Sequence, residues 1–497
     1  MYLFTAGMGI GLTGLQAAQN AINVTGQNIT NINTPGYARQ RVNLETGFSV
    51  QIDKLQFGLG VNVRQVQSIR DRFLDMQLTQ TITHQFGTKI RYEGIENIAS
   101  VFVENGESGL DIELQRFFQA FEELAARPEN DAVRTNVVTR AQTLISGLQA
   151  RYNVIEDKRT QANRSAASIV NEVNIIAAQI AKLNHNIASE VPKGSDNNSR
   201  DQRQALVDKL AELVGIQCYE DTHGRLTITV ENGMPIVSGS SAMPMIANSV
   251  YADGSYIIEI EIGDSGQKID VTKAIKNGTL GGYLDLRDNI LVGYMEKLDQ
   301  LAAGVVYEVN QLHRNGVGID GVTTNLDFFV AIGGGNDPNG LPTGVNNLNN
   351  YKGMISRMGI NGLILNDPQL IASGDPLSSD PGPGNNEIAL KLAELQNADN
   401  TVDSNNTGLP GNSGPFTIFI SSIANKIGNE ALNYKATSNT DENIRAALEI
   451  QRDRLSAVDF DEEATNLIVF QRSYQACSRF IGVINQLTDQ LVNNFGK

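Results

Sequence analysis

The chain has 497 residues and a formal net charge of −16, with 55 acidic and 39 basic side chains. This length is too great for one hydrophobic core and predicts about three domains in series. The acidic balance, without clusters of Lys or Arg, argues against nucleic acid and anionic membranes as partners, and no apolar run approaches the ~20 residues of a membrane span.

The first predicted helix covers residues 10–32, where apolar and small residues recur in alternating three- and four-residue steps. Two interleaved seven-residue series form its stripe: Leu15, Ile22 and Ile29 in one, and Ala18, Thr25 and Ile32 in the other. Such spacing is typical of a coiled-coil seam. Gly26 and the alanines at positions 17, 18 and 21 are small enough to let a neighbouring helix approach closely. We therefore expect this helix to lie in packed surroundings.

A helix stop follows in the sequence NITNINTPGYARQ, residues 28–40. Pro35 disfavours the helical conformation at Thr34, and Gly36 can adopt the positive φ of a turn. The segment combines three asparagines with this break. The residues that we single out in it are Asn28, Asn31, Asn33, Thr34, Pro35, Gly36 and Tyr37. We expect them to form a hinge after the first helix.

The middle of the chain changes its hydrophobic period several times. Residues 41–66 alternate as strands do, and helical patterns then cover 70–102, 111–126, 130–189 and 200–214. At 1.5 Å per residue, the third of these helices would be a rod about 90 Å long. Residues 216–282 contain alternating runs separated by turn residues, which predicts a small β-rich region. Helical period returns at 282–314.

Residues 316–415 are rich in Gly, Pro, Asn and Asp, which predicts loops rather than core. Within this stretch, 386–398 has the clearest helical pattern, and 331–361 is interpreted as a possible insertion. Two further helices are predicted at 415–435 and 441–456.

The last predicted helix, 460–495, carries a second coiled-coil stripe. Its seam residues are Leu467, Phe470, Tyr474, Cys477, Ile481, Ile484 and Leu491. Asp459 is the predicted N-cap, with Glu462 three residues later. Because one amphipathic helix cannot bury its own stripe, we predict that it pairs with the first helix, placing Ile481 against Ile22 or Ile29. A helix packed on an ordinary globular core is the alternative.

These elements predict a mainly α-helical fold with a β-rich insertion. Paired N- and C-terminal coiled-coil helices form one domain, residues 1–36 and 460–497. A helical, rod-like middle domain comprises 37–215, 283–316 and 415–459. An outer β-rich and loop-rich domain comprises 216–282 and 317–414.

One motif is typical of an enzyme: Gly9, Gly11 and Gly14 form a G-x-G-x-x-G sequence at the start of a helix. A dinucleotide-binding fold needs a buried strand before the glycines and an acidic residue about 20 positions later, and the sequence supplies neither. The four histidines and two cysteines form no cluster with metal-ligand spacing. We therefore predict a protein that is not an enzyme and takes no cofactor or metal, with a dinucleotide-binding enzyme as a remote alternative.

The two ends of the chain carry a resemblance to a known family. NITNINTPGYARQ and the C-terminal VDFDEEATNLIVFQRSYQACSRFIGVINQLTDQLVN resemble the matching ends of bacterial flagellar rod, hook and hook-associated proteins. The middle segment DQRQALVDKLAELVG, residues 201–215, is similar to hook-associated members of that family. The resemblance implies that paired terminal helices line an inner tube and that the middle domains face outward.

The resemblance also implies a function. It predicts a secreted structural protein of the extracellular flagellum that joins the hook to the filament by self-assembly through its terminal helices. The implied partners are further copies in a tube, the hook protein on one side, and the next hook-associated protein or the filament on the other. Passage through the flagellar type III export channel implies a chaperone at the C-terminal helix. A hook subunit or another axial protein is the alternative, because the N-terminal motif is shared.

Overall fold

The computed structural model describes residues 2–34, 36–52, 55–102, 109–189, 196–249, 254–263, 266–331, 352–378, 382–398 and 414–495. The chain forms two compact units. The first consists of Met1–Gly87, Ala167–Gly281 and Ser438–Lys497, and the second of Thr88–Ala166 and Gly282–Thr437.

The N-terminal half is built from long helices with short strands between them. Its elements are α1 (Tyr2–Thr30), β1 (Gln40–Thr46), β2 (Ser49–Ile52), β3 (Leu55–Gly58), β4 (Val61–Ser68), α2 (Arg72–Phe102), α3 (Leu110–Ala126), α4 (Asp131–Ser189) and α5 (Asn197–Leu213). Asn130 starts α4 as predicted, because its Oδ1 accepts a hydrogen bond from the Ala132 backbone N–H at 2.9 Å. The bounds of α2 to α5 confirm the helices predicted at 70–102, 111–126, 130–189 and 200–214 to within a few residues.

A strand-rich region follows α5. It contains β5 (Ile216–Glu220), β6 (Leu226–Val230), β7 (Pro235–Ser238), β8 (Ser241–Ala242), β9 (Met245–Ser249), β10 (Tyr256–Ile262) and β11 (Gln267–Asp270). These strands form a four-stranded antiparallel sheet in the order β5-β6-β7-β8 and a three-stranded one in the order β11-β10-β9. The β-rich insertion predicted from alternating residues is confirmed.

The C-terminal half returns to helices. Its elements are α6 (Gly278–Asp285), α7 (Leu291–Arg314), β12 (Phe329–Ala331), α8 (Met354–Arg357), β13 (Met358–Ile360), α9 (Gly362–Asn366), α10 (Glu387–Glu394), α11 (Phe416–Ser456) and α12 (Phe460–Phe495). A π-helical turn, Leu286–Ile290, joins α6 to α7. None of the described helices is both long enough and apolar enough to cross a membrane.

Two details of the helix predictions were wrong. The predicted helices 415–435 and 441–456 form one continuous helix, α11, because residues 436–440 contain no Gly or Pro to end it. Asp441 is buried, and its Oδ2 lies 2.7 Å from His84 Nδ1. The first helix starts at Tyr2 rather than at residue 10.

The second unit has an aromatic core. Phe117, Phe118 and Phe121 of α3 pack with Phe328 and Phe329, and the ring centroids of the last two lie 4.8 Å apart. All five side chains are at most 1% exposed. Residues 316–415 therefore supply core side chains as well as loops. Of the predicted loop region, 332–351, 379–381 and 399–413 lie outside the described residues, and the first of these ranges is most of the possible insertion.

The two compact units group residues differently from the three predicted domains. Residues 216–281 belong to the first unit, whereas 317–414 fall in the second. The terminal segments 1–36 and 460–497 share the first unit with α5 and the strand-rich region. The three-domain scheme concerns positions within a tube and stays a prediction.

Candidate assembly interface

Helices α1 and α12 lie side by side in antiparallel orientation. An ideal Cβ built on three glycines of α1 falls close to side chains of α12: 3.3 Å from Ile484 at Gly7, 2.7 Å from Ile481 at Gly11 and 2.9 Å from Cys477 at Gly14. Residue numbers rise along α1 as they fall along α12, which defines the antiparallel orientation. The pairing of the two ends that the hydrophobic pattern predicts is present in the structure.

Two of the three glycines of the G-x-G-x-x-G sequence lie at this helix contact. Gly11 and Gly14 face α12, and Gly9 has no heavy atom within 4 Å of its ideal Cβ. All three lie inside α1, so helix rather than a buried strand precedes them. A dinucleotide site needs that strand and a free glycine backbone at a helix N-terminus. The remote interpretation as a cofactor-binding motif is therefore wrong.

On α1, the residues facing α12 are smaller than the predicted stripe. Gly11, Ala18, Ala21, Thr25 and Asn28 are buried and recur at the three- and four-residue steps of a seam. The larger members of the predicted series are only half-buried or exposed: Leu15, Ile22 and Ile29 are intermediate, and Ile32 is 37% exposed. No atom of the described residues lies within 4 Å of the ideal Cβ of Gly26, so no neighbouring helix approaches closely at this position.

On α12, burial differs among the predicted seam residues. Leu467, Phe470, Cys477, Ile481 and Ile484 are half-buried, whereas Tyr474 and Leu491 are 36% and 45% exposed. The register, however, was predicted incorrectly. Ile481 lies against Gly11 rather than against Ile22 or Ile29. Whether these residues also meet other subunits stays a prediction.

Asp459 caps the start of α12 as predicted. Its Oδ1 accepts hydrogen bonds from the backbone N–H groups of Asp461 at 2.9 Å and Glu462 at 3.2 Å. The Glu462 side chain does not complete a capping box, because both of its carboxylate oxygens accept from Arg39.

Asn28, the first residue of the NITNINTPGYARQ segment, is at the centre of a buried hydrogen-bond network. Its Nδ2 donates to the Gln40 carbonyl at 2.9 Å and to Glu463 Oε2 at 3.0 Å. Its Oδ1 accepts from the Gln40 N–H at 3.0 Å and from the Tyr37 hydroxyl at 2.9 Å. Asn28 is 1% exposed, and all four hydrogen-bonding positions of its amide are used. This residue therefore links α1, β1 and α12.

Arg39 extends the network along α12. Its Nε donates to Glu463 Oε1 at 2.7 Å, and its two Nη atoms donate to Glu462 at 2.9 and 2.6 Å. Its backbone N–H donates to the Ser456 carbonyl at 2.8 Å. We call Asn28, Tyr37, Arg39, Gln40 and Glu463 the terminal clamp. A guanidinium that donates two hydrogen bonds to one carboxylate and one to a second fixes the orientation of both carboxylates as well as their distance from it.

The environment of the terminal clamp is strongly polar but shielded from water. Burial, with the negative charges of Asp201 and Glu463, raises the pKa of Tyr37 to about 12. The hydrogen bond to Glu462 is the largest cause of a raised pKa at Arg39. The Glu463 side chain is only 3% exposed. Neutral Tyr37 and charged Arg39 are thus the forms present at physiological pH.

Sequence reasoning missed Arg39, Gln40 and Glu463 as functional residues. A signal was available for Glu463, which continues the three- and four-residue spacing of the α12 seam. Asn28 follows the spacing of Ala21 and Thr25 and lies one position before the predicted Ile29. Polar residues that fall at seam positions of two helices predicted to pair are candidates for a buried contact.

The remaining residues of the segment end α1. Asn31 Nδ2 donates to the Gln27 carbonyl at 2.9 Å, and the Thr34 hydroxyl donates to Asn31 Oδ1 at 3.2 Å. Gly36 has a φ of +79°, and its carbonyl accepts from Arg70 Nη2 at 2.7 Å. Asn33 is exposed, and Pro35 lies outside the described residues. A hinge function for this segment stays a prediction.

Pairing with α1 leaves an apolar strip of α12 in water. Val469 is 51% exposed, Phe480 43%, Val483 52% and Leu487 44%. Steps of 11, three and four residues place all four side chains on one helix face. We call these four residues the exposed strip. Phe480 reaches Gly11 of α1 at the edge of the strip, and about half of each of the four side chains remains exposed.

The described residues contain no group of three or more His, Cys, Asp or Glu side chains arranged to hold a metal ion. Cys477 lies against Gly14, and Cys218 is a free thiol whose pKa is raised to about 12, mainly by burial. The Cys218 thiol is therefore not present as a reactive thiolate near neutral pH. The chemistry of this region is that of packing and hydrogen bonding.

Comparison with known proteins places these features in a family. The model of the flagellar hook-associated protein FlgK helical domain matches residues 95–329. A flagellar basal body rod protein model matches 8–37, and the C-terminal model of flagellar basal body rod FlgEFG proteins matches 454–494. The two end models therefore cover the helix pair and most of the terminal clamp.

Whole-chain relatives agree with the models. The chain is 27% identical to flagellar hook-associated protein 1 of Escherichia coli K12, over 97% of this chain and 98% of that protein. It is 26% identical to the protein of the same name from Bacillus subtilis 168, over 97% and 96%. The flagellar hook junction protein FlgK from Burkholderia pseudomallei has a similar fold, with a TM-score of 0.63 at 15% identity, covering 76% of this chain and 99% of that one. The chain therefore belongs to the family of flagellar hook-associated protein 1, structural proteins of the bacterial flagellum.

Proposed function

We propose that this chain joins the flagellar hook to the filament as a self-assembling structural protein at the hook-filament junction. The observation that carries the proposal is the exposed strip of α12, which remains apolar and uncovered after α12 has paired with α1. The names of the relatives support the same role, since they describe hook-associated and hook junction proteins.

The exposed strip is well suited to contact another subunit. Its four side chains are about half exposed, and full burial of such a side chain contributes about 1.5–3 kcal/mol. Contiguous apolar surface of this kind marks interaction sites in soluble proteins. Repeated around a ring, the strip of one copy meets a terminal helix of the next, and the paired ends line an inner tube. In this arrangement the middle domains face outward, following the three-domain scheme.

The partners follow from this position. One end of the tube meets the hook protein, and the other meets the next hook-associated protein or the filament. The middle-region match distinguishes the chain from a hook subunit, because residues 95–329 fit the FlgK helical domain whereas the two ends fit models of rod proteins. The relatives are structural proteins, and we infer no catalytic activity for this chain.

Before assembly, the exposed strip needs protection. We expect an export chaperone to cover the C-terminal helix, and passage through the flagellar export channel to deliver the chain to the extracellular flagellum. Removal of all residues from Gln471 onward eliminates three of the four strip residues and should abolish chaperone binding. Normal chaperone affinity of the truncated chain would place the chaperone site elsewhere.

The junction role is tested with Val483→Asp in cells where the variant replaces the parent protein. A carboxylate in the exposed strip is hydrated in the free chain but loses its water when a neighbouring subunit covers it. We expect an exported, soluble protein with the parental melting temperature, hooks that lack filaments, and filament subunits released into the medium. Electron microscopy gives the filament count per hook.

The matched control is Asn485→Asp. Asn485 is exposed on the same helix and lies two residues from both Val483 and Leu487, a spacing that places its side chain on a different face from the strip. It introduces the same charge and should leave filament number unchanged. Normal filaments on hooks that carry Val483→Asp would remove the exposed strip from the junction role.

A further inference from the structure

The contact between α1 and α12 is poorly specified by packing alone. The α1 residues that recur along the seam are nearly all small: Gly7, Gly11, Gly14, Ala18, Ala21 and Thr25. They meet larger side chains, such as Ile484 and Ile481, on α12. If α12 moved by seven residues, most of its side chains would still meet a small neighbour, and the main packing penalty would arise in the direction that brings Ile481 against Ala18 in place of Gly11. Apolar contact therefore distinguishes neighbouring heptad registers less strongly than the loss of a buried polar contact does.

The terminal clamp distinguishes them strongly. Moving α12 by one heptad in one direction brings Glu463 opposite Ala21, and in the other direction brings Asn28 opposite Phe470. In either case the Asn28–Glu463 hydrogen bond of 3.0 Å is lost. A carboxylate or amide in an apolar seam without a partner is strongly unfavourable. Both slipped registers are therefore penalised by the same pair of residues.

We propose that the buried Asn28–Glu463 pair, held by Arg39, Tyr37 and Gln40, sets the register of the two terminal helices. In helix pairs, a polar residue at an otherwise apolar seam position selects one register at some expense in stability. Asn28 is suited to this role because all four hydrogen-bonding positions of its amide are used in the observed register. A slipped register would leave the position that donates to Glu463 without its partner.

The register matters for the surface that the helix pair presents. Met8 and Leu12 of α1 are 41% and 50% exposed, and the register fixes their height relative to the exposed strip of α12. A slip of one heptad would shift the two apolar surfaces by about 10 Å at 1.5 Å per residue. This consequence rests on the proposed function, whereas the register itself is a property of the free chain.

The native Cys477 allows a direct test in the purified full-length protein. An ideal Cβ at Gly14 lies 2.9 Å from Cys477 Sγ, which suits a disulfide with Cβ atoms about 3.8 Å apart. Gly14→Cys therefore reports the observed register, and Gly7→Cys and Ala21→Cys report the two slipped registers. Each variant is made with Cys218→Ala, so that Cys477 is the only partner. Disulfide formation under mild oxidation is followed on non-reducing gels and assigned by mass spectrometry.

With an intact terminal clamp, Gly14→Cys should form its disulfide at least about tenfold faster than the other two, because only its geometry fits. Adding Glu463→Ala should reduce this selectivity at least about threefold, since packing alone separates the registers less strongly than the buried polar contact. Glu463→Gln should preserve it, because an amide oxygen still accepts from Asn28. Glu462→Ala is the matched control: it removes a neighbouring carboxylate that also binds Arg39 but is 57% exposed, and it should leave the selectivity unchanged.

Full selectivity in the Glu463→Ala protein would overturn the proposal. If that variant loses the helix pair altogether, the double variant Asn28→Leu with Glu463→Leu decides, because it replaces the polar pair by an apolar contact. A helical double variant that cross-links at all three positions supports the proposal, and one that cross-links at Gly14→Cys alone contradicts it. Filaments are not part of the readout, so failure here is separate from failure of the junction role.

Discussion

The glycines of α1 offer a test in which two neighbouring substitutions have opposite effects. Gly9 and Gly11 lie two residues apart in the same helix. Replacing either by Ala gains about 1 kcal/mol of helix propensity. At Gly9 the new Cβ has no atom within 4 Å, so Gly9→Ala should stabilise α1 by that amount.

At Gly11 the new Cβ lies 2.7 Å from Ile481 Cγ1 and 3.2 Å from Phe480 Cδ1. The first distance is shorter than real Cβ contacts, and Ile481 Cγ1 is the methylene next to the branched Cβ, close to the backbone rather than at the end of a flexible chain. Overpacking of this kind costs about 1–3 kcal/mol. Both variants gain the same helix propensity. The free energy of packing between α1 and α12 should therefore be about 1–3 kcal/mol less favourable in Gly11→Ala than in Gly9→Ala.

Hydrogen exchange of α1 and α12 amides in the purified protein measures this difference. Gly9→Ala should slow exchange in both helices, and Gly11→Ala should accelerate it in both, because the two helices lose protection together. Equal changes of the same sign would show that α12 does not pack against Gly11, and would contradict the antiparallel contact on which the account depends.

Two further predictions concern the second unit. His313 is buried, with Nδ1 2.6 Å from the Leu326 carbonyl and Nε2 accepting from the Ala372 N–H, and burial lowers its pKa to about 4 from 6.5. As pH falls, the unfolded chain therefore takes up a proton before the folded chain does. Between pH 6.5 and 4 the parent protein should lose about 3 kcal/mol of unfolding free energy at this residue, and His313→Gln should not lose it. The same dependence of unfolding free energy on pH in denaturant titrations of the two proteins would contradict this. Arg134 is fully buried and donates to the carbonyls of Pro128 and Ile371 at 2.8 Å, so Arg134→Met should cost about 3–5 kcal/mol by leaving those acceptors unpaired, whereas Arg164→Met, at an exposed position of the same helix, should leave the melting curve unchanged.

Much of the fold was accessible to sequence reasoning because hydrophobic period survives in long helices. α4 and α12 repeat their patterns over many turns, and their bounds agree with the prediction to within a few residues. The break predicted within α11 failed for the opposite reason. Residues 437–440 carry short polar side chains that are typical of loops, but tertiary contacts such as that of Asp441 with His84 keep the helix continuous.

The terminal pairing was predicted correctly, but its contacts were not. Large apolar residues such as Ile22 dominate a periodicity analysis, whereas the helix contact is made through Gly11 and Ala18, which the pattern weights least. Register depends on shape and on buried hydrogen bonds, and neither is encoded in the period. Asn28 and Glu463 lie 435 positions apart, so no local pattern joins them.

The central claim is that the exposed strip of α12 contacts another subunit once the two terminal helices have paired. The most direct measurement places a photoactivatable cross-linking amino acid at Val483, where 52% of the side chain is exposed, and irradiates isolated hook-filament complexes. We predict covalent products that join this chain to a second copy or to an adjacent flagellar subunit, and far fewer such products when the same group is placed at Asn485. Assembled complexes in which Val483 yields no intermolecular product would contradict it.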